Sequence, residues 1–171
     1  MTAFDAGALL LRLCLGLTMF AHGYAKFFSG GRISGTAGWF DSMGMRPGRL
    51  HARLAAGTEV GAGLALALGL LTPLAAAAFV ALMLVAAWTV HREHGFFIVG
   101  NGWEYNAVLA VAAVAGATMG PGRIAVDRLL FGADGFHGWT AGAIAAGLGL
   151  AAGIAQLAIF YRPAAVSGAG R

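Results

Sequence analysis

The stretch LLLRLCLGLTMFAHGYAKFF, residues 9–28, decides how the rest of the chain is read. It is apolar enough to cross a bilayer and has the length for it, since a span takes about 20 residues at about 1.5 Å each. Within it stand Arg12, His22 and Lys26. At about 100° per residue these three fall within roughly 80° of one another, on a face shared with Gly16, Met19 and Gly23. The remaining positions are mostly Leu, Phe and Ala. An ionisable side chain inside a membrane span is costly and normally faces a partner helix or a wet cavity. This helix therefore has an inside, and other segments must supply partners for it.

The composition agrees. Of the 171 residues, 59% are hydrophobic and 11% charged, against about 25% charged in a soluble domain. The expected fold is an all-α, polytopic membrane helical bundle with short loops and no large water-facing domain. The net charge of +4 is explained by basic residues at span ends and by lipid headgroups, not by nucleic acid. A single cysteine, Cys14, excludes an intrachain disulfide and a self-contained dithiol centre. It reads as a small buried apolar residue. No positive charge precedes the first apolar run and no small-x-small cleavage site follows it, so the first span is expected to be retained.

Outward from that span, residues 50–71 form a second one. Glu59 lies on its face of small residues, with Ala52, Ala55, Ala56, Ala62 and Gly63. Small residues mark close helix contact in membranes, so Glu59 should point into the bundle. Thr72-Pro73 turns the chain into a third span that ends near residue 90 and is capped by His91-Arg92-Glu93-His94. A loop, GFFIVGNGW at 95–103, precedes a short fourth span at 104–119. Gly120-Pro121-Gly122-Arg123 stops it, a short amphipathic stretch follows at 124–131, and a fifth span occupies 138–161. The loop at 29–49 holds Trp39-Phe40 and Met43, read as a surface-lying piece that acts as interfacial anchor or as lid. The implied units are a four-helix core at 1–135, an additional transmembrane helix at 136–162 and a disordered tail at 163–171. The distribution of Lys and Arg places the N-terminus outside and the C-terminus in the cytoplasm.

The polar residues converge in depth. Lys26 closes the first span, and His22 lies about 6 Å deeper. Glu59 lies about 13 Å deep from the same side. His91 closes the third span there, and Glu104 and Asn106 open the fourth. Taken singly, each has a plain structural reading. Lys26 can snorkel to headgroups, and Glu104 can simply start a helix. Arg12 and Glu59 can pair to fix helix register, though Arg12 sits roughly 10 Å further toward the other side. Together they suggest a site. The candidate catalytic residues are His22, Lys26, Glu59 and Glu104; the candidate cofactor-binding residues are His22, His91, Trp103 and Tyr105. A quinone needs a flat apolar slot, a donor at each carbonyl and a proton route, and His, Lys and Glu beside aromatic rings supply those parts. His22, Glu59, His91 and Glu104 are adequate metal ligands, but no HExxH or paired ExxH spacing occurs, and no metal is assigned.

Several landmarks run in order along residues 8–130: Arg12 with Gly16, then His22-Gly23 with Lys26, then Glu59 with Gly61 and Gly63. Gly69-Leu70-Leu71-Thr72, Gly102-Trp103-Glu104-Tyr105 and Gly120-Pro121-Gly122 with Asp127 complete them. With them the chain resembles the DoxX family of small bacterial and archaeal membrane proteins. The resemblance implies a four-helix membrane core and an association with oxidoreduction. Relatives are named as a subunit of a thiosulfate:quinone oxidoreductase, and others look like membrane anchors that gather soluble redox enzymes. It adds no cofactor motif, and the fifth span departs from the four-helix pattern. The expected function is a membrane component of a redox system with a quinone-binding or proton-coupled site. The alternative is a non-catalytic anchor that recruits partner proteins. A small-solute transporter fits less well, for want of an internal repeat. The expected setting is the plasma membrane (the bacterial inner membrane), in contact with lipid and with a protein partner or a second copy of the chain.

Overall fold

The computed structural model describes residues 1–132 and 137–163. Among these residues the chain is helical throughout, with one isolated bridge between Met45 and Tyr161. The α-helices are α1 (Ala3–Phe28), α2 (Arg32–Ser42), α3 (Gly48–Leu68), α4 (Thr72–Ala86), α5 (Glu104–Met119), α6 (Val126–Phe131) and α7 (Gly138–Phe160). α4 runs on through a π-helical turn, Ala87–His91, and a 3-10 turn, Arg92–His94. Three helices are long and apolar enough to cross a membrane: α1, the continuous Thr72–His94 helix and α7; α5 is a shorter apolar helix. α3 is 21 residues long, carries Arg49, Arg53 and Glu59, and packs against α1 and α2.

Local signals set the helix ends. Thr2 and Asp5 form a capping box at the start of α1: Thr2 Oγ1 accepts from the Asp5 amide at 3.2 Å, and Asp5 Oδ2 accepts from the Thr2 amide at 2.7 Å. α3 stops at Gly69, whose φ of +67° is the left-handed cap conformation that glycine adopts without strain. Pro73 opens α4, where its missing N–H and fixed φ suit the first turn.

α1 buries Arg12, Gly16, Met19 and Gly23, as its face predicts. It crosses α3 on glycine. A Cβ at Gly16 would lie 2.6 Å from the Ala67 amide nitrogen, and one at Gly63 would lie 2.7 Å from the Gly16 carbonyl. Without a hydrophobic drive between helices in lipid, such close backbone packing is the main source of association. The central core then joins Leu15 and Met19 of α1, Leu66 of α3, Ala75, Ala76 and Phe79 of α4, Ala113 and Ala117 of α5, and Ala145 of α7.

α7 is thus an integral wall of the bundle. A Cβ at its Gly149 would lie 2.7 Å from the Ala77 carbonyl of α4. Its C-terminal end holds the α2–α3 connection: the Arg46 amide donates to Phe160 O at 3.3 Å, and the Arg162 amide to Gly44 O at 2.7 Å. His51 of α3 is fully buried there, 3.2 Å from the Gln156 amide and edge-on to the Phe160 ring at 4.8 Å.

The expected element positions agree with these bounds to within a few residues, except that α1 begins at Ala3, well ahead of the expected Leu9. Two further points differ. Cys14 is exposed on the outer face of α1 rather than buried, because the inner face is filled by Arg12, Leu15 and Gly16. The surface piece at 29–49 is a true helix, α2, whose Ala37 and Phe40 are buried. The boundary at 135–136 and the tail beyond 163 lie outside the described residues.

Candidate functional site

A cavity of about 390 Å³ lies among α1, α2, α3, α4 and α5. Each of its walls follows from local sequence. At Gly23, a Cβ would stand 2.8 Å from the Ala56 carbonyl, Glu59 Cβ and the Val60 amide, so only glycine lets α1 approach α3 this closely. That approach brings Lys26 onto Glu59. Its ammonium Nζ lies 2.7 Å from both carboxylate oxygens, with side chains 20% and 12% accessible. His22 and Met19 continue the α1 wall.

Trp39 and Phe40 of α2 also line the cavity. α4 contributes Phe79, Leu82 and Met83, a purely apolar wall. At the end of α4 the π turn adds Thr89, Val90 and His91. A π turn is rare and is frequently found at functional sites. His91 Nδ1 lies 2.7 Å from the Asn101 carbonyl. A carbonyl only accepts, so Nδ1 carries the proton, and the neutral ring leaves Nε2 as an acceptor. α5 closes the cavity with Tyr105, Asn106 and Leu109.

Five of the seven residues expected at a site therefore meet here: His22, Lys26, Glu59, His91 and Tyr105. Glu104 and Trp103 do not line the cavity. Glu104 accepts from the Ile98 amide at 2.9 Å, and the Trp103 ring packs edge-on to Phe96 at 4.8 Å. Both order the 95–103 loop, whose Asn101 holds His91. Asn106 and Thr89 were not among the expected site residues. The sequence places Asn106 at the opening of the fourth span with the converging polar residues, without assigning it a role; Thr89 depends on the π turn, which no sequence pattern announces.

Arg12 belongs to a different network. Its guanidinium donates to the Ala67 carbonyl at 2.9 Å and to the Ile124 carbonyl. Beside it, buried Asp127 accepts from the Leu71 amide at 2.6 Å and the Thr72 amide at 2.8 Å, capping α4. The Arg12–Glu59 pair does not form. Along α1, Arg12 and Lys26 are about 21 Å apart, and Lys26 is the residue level with Glu59. A second cavity, about 250 Å³, lies beyond this network and is lined by Asp5, Arg123, Asp127 and His137. Its two carboxylates already cap helices, and Asp5 also accepts from the Arg123 amide at 3.0 Å. Among the described residues no three His, Cys, Asp or Glu side chains gather as metal ligands.

Comparison with known proteins places this architecture. The DoxX family profile matches residues 7–92, which takes in α1 to α4, the Lys26–Glu59 pair and His91. The chain is also 30% identical, over 129 residues, to the Bacillus subtilis (strain 168) protein named "Putative oxidoreductase CatD", covering 75% of this chain and 90% of that protein. No solved structure matches. The chain belongs to the DoxX family, and it is a membrane protein with an all-helical fold.

Proposed function

We propose that this DoxX-family protein is the membrane component of a redox system in the plasma membrane. It holds a quinone-type ring in the α1–α5 cavity and exchanges protons with it through His22, the Lys26–Glu59 pair and His91. One observation carries the reading: titratable groups from three segments of the chain share the wall of a single apolar cavity. Its volume falls within the range of small-molecule sites, about 300–1,000 Å³. Met19, Phe79, Leu82 and Met83 offer flat apolar contact to a ring. The Lys26 ammonium has three protons, so one remains for a ligand oxygen beside the two bonds to Glu59. His91 Nε2 is set up to receive a proton. The resemblance of the chain to a protein named as an oxidoreductase adds support. Electrons would come from a redox partner protein, while this chain binds, orients and protonates.

Entry from the bilayer fits the same geometry. Leu11 of α1 meets α5 near Gly116, in the half of the bundle away from the cavity. His22 and Tyr105, on the two helices at the cavity's edge, are exposed. An apolar ligand dissolved in lipid would reach the site between them.

The test is purification in mild detergent, followed by solvent extraction, mass analysis and an ultraviolet–visible spectrum. A quinone recovered in near-equal amount with the protein is expected. Protein that carries none and takes up no added short-chain quinone overturns the reading. The alternative, a non-catalytic anchor, draws on Phe97, Ile98 and Val99, which are 67%, 51% and 96% exposed at the loop tip. It predicts a co-purifying partner chain and no cofactor.

A further inference from the structure

Among the described residues, four buried side-chain atoms lack a hydrogen-bond partner: Arg12 Nε, His51 Nε2, Thr72 Oγ1 and Asn106 Oδ1. Arg12, His51 and Thr72 line neither cavity described above. Asn106 does. It is 6% exposed, and it stands on the α5 wall of the larger cavity. Its amide nitrogen makes only a 3.8 Å contact with Met83 Sδ, and a thioether is a weak acceptor. A buried carboxamide left this poorly satisfied is costly unless a ligand completes its hydrogen bonds.

We propose that Asn106 is the second polar anchor of the cavity and requires a ligand with ring oxygens at both ends. The inference rests on the quinone reading above and assigns the residue that sets its specificity. Lys26 and Glu59 line the cavity from α1 and α3, whereas Asn106 lines it from α5, so polar groups enter the one cavity from separate walls. In this proposal one ring oxygen meets Lys26 and the other meets Asn106. The carboxamide has a donor and an acceptor, and its two ends exchange by a flip. It donates to a quinone carbonyl and accepts from a hydroquinone hydroxyl, so both redox forms keep their anchor. An aliphatic chain or an unsubstituted ring does not satisfy it.

The test compares duroquinone with durene, the same methylated ring without its two oxygens, on purified protein in nanodiscs. Binding is read as the shift in melting temperature against ligand concentration. Duroquinone should bind the wild type more tightly than durene. Asn106→Leu should weaken duroquinone by about tenfold, the loss of one hydrogen bond, and leave durene unchanged. If the leucine variant does not fold, Asn106→Ala makes the same comparison. Equal duroquinone affinity in wild type and variant overturns the anchor while the quinone reading stands. No duroquinone binding by the wild type overturns both.

Discussion

Lys26 Nζ stands 2.7 Å from each carboxylate oxygen of Glu59, so one lysine bridges α1 and α3 within the wall of the main cavity. The bridge exists because Gly23, one turn before Lys26, lets the two backbones meet. Ala56, one turn before Glu59, is fully buried at the same contact.

Removing one partner leaves the other charge buried without compensation. Glu59→Ala and Lys26→Ala should each destabilise the detergent-solubilised protein by about 3–5 kcal/mol. The double variant should cost clearly less than the sum, because both changes remove one shared interaction. Glu93→Ala serves as the control: Glu93 is 80% exposed and 3.7 Å from Arg92, and a surface pair of this kind contributes about 0–1 kcal/mol. Thermal melts of the four proteins decide it, and full additivity contradicts the shared bridge.

Gly23→Ala should loosen the same bridge without touching a charge. The added methyl meets backbone atoms of α3 at 2.8 Å, and overpacking of this kind costs about 1–3 kcal/mol. Gly61 of α3 has nothing within 4 Å of such a methyl. Gly61→Ala should be neutral or slightly stabilising, by up to about 1 kcal/mol. If Gly23→Ala melts like Gly61→Ala, the close crossing is wrong.

The contrast between Lys26 and Arg12 shows how far the sequence could be read. The inner face of α1 follows from helical periodicity alone; counting residues from the span ends, however, sets Glu59 deeper than Lys26, whereas the two side chains meet. For Arg12 the sequence offers pairing with Glu59 as one reading, against a depth offset of roughly 10 Å. Instead it donates to the carbonyl of Ala67, in the last turn of α3, and to that of Ile124. Those acceptors are backbone atoms exposed by a helix ending and a bend, which side-chain patterns do not encode. Glu104 illustrates the same limit: its depth was legible, but its bond to the Ile98 amide depends on how the 95–103 loop closes. The π turn that carries Thr89 and His91 into the cavity has no sequence signal.

Asp127 should prove structural. It accepts from two backbone amides at the start of α4 and is 2% exposed. Asp127→Ala leaves both buried donors unsatisfied, at about 1–3 kcal/mol each. Asp127→Asn keeps one acceptor oxygen and should lie between wild type and alanine in unfolding midpoint. Quinone binding, measured on variants that still fold, should be unchanged, because Asp127 does not line the main cavity.

His91 should show one tautomer. With Nδ1 held at 2.7 Å from the Asn101 carbonyl, the neutral ring has its proton on Nδ1. Nitrogen NMR of protein labelled in its histidines, assigned with a His91→Gln variant, reads this directly. A neutral His91 with the proton on Nε2 contradicts the role of His91 as acceptor.

The central claim is that a quinone-type ring occupies the space between the Lys26–Glu59 pair and Asn106. An azido-quinone photolabel, applied to the protein in nanodiscs and mapped by peptide mass analysis, tests it most directly. Adducts should fall on cavity residues such as Met19, Phe79, Met83 and Leu109, and excess unlabelled quinone should abolish them. Adducts confined to outward-facing residues such as Leu10, Leu17 and Val111, unchanged by competitor, would contradict the account.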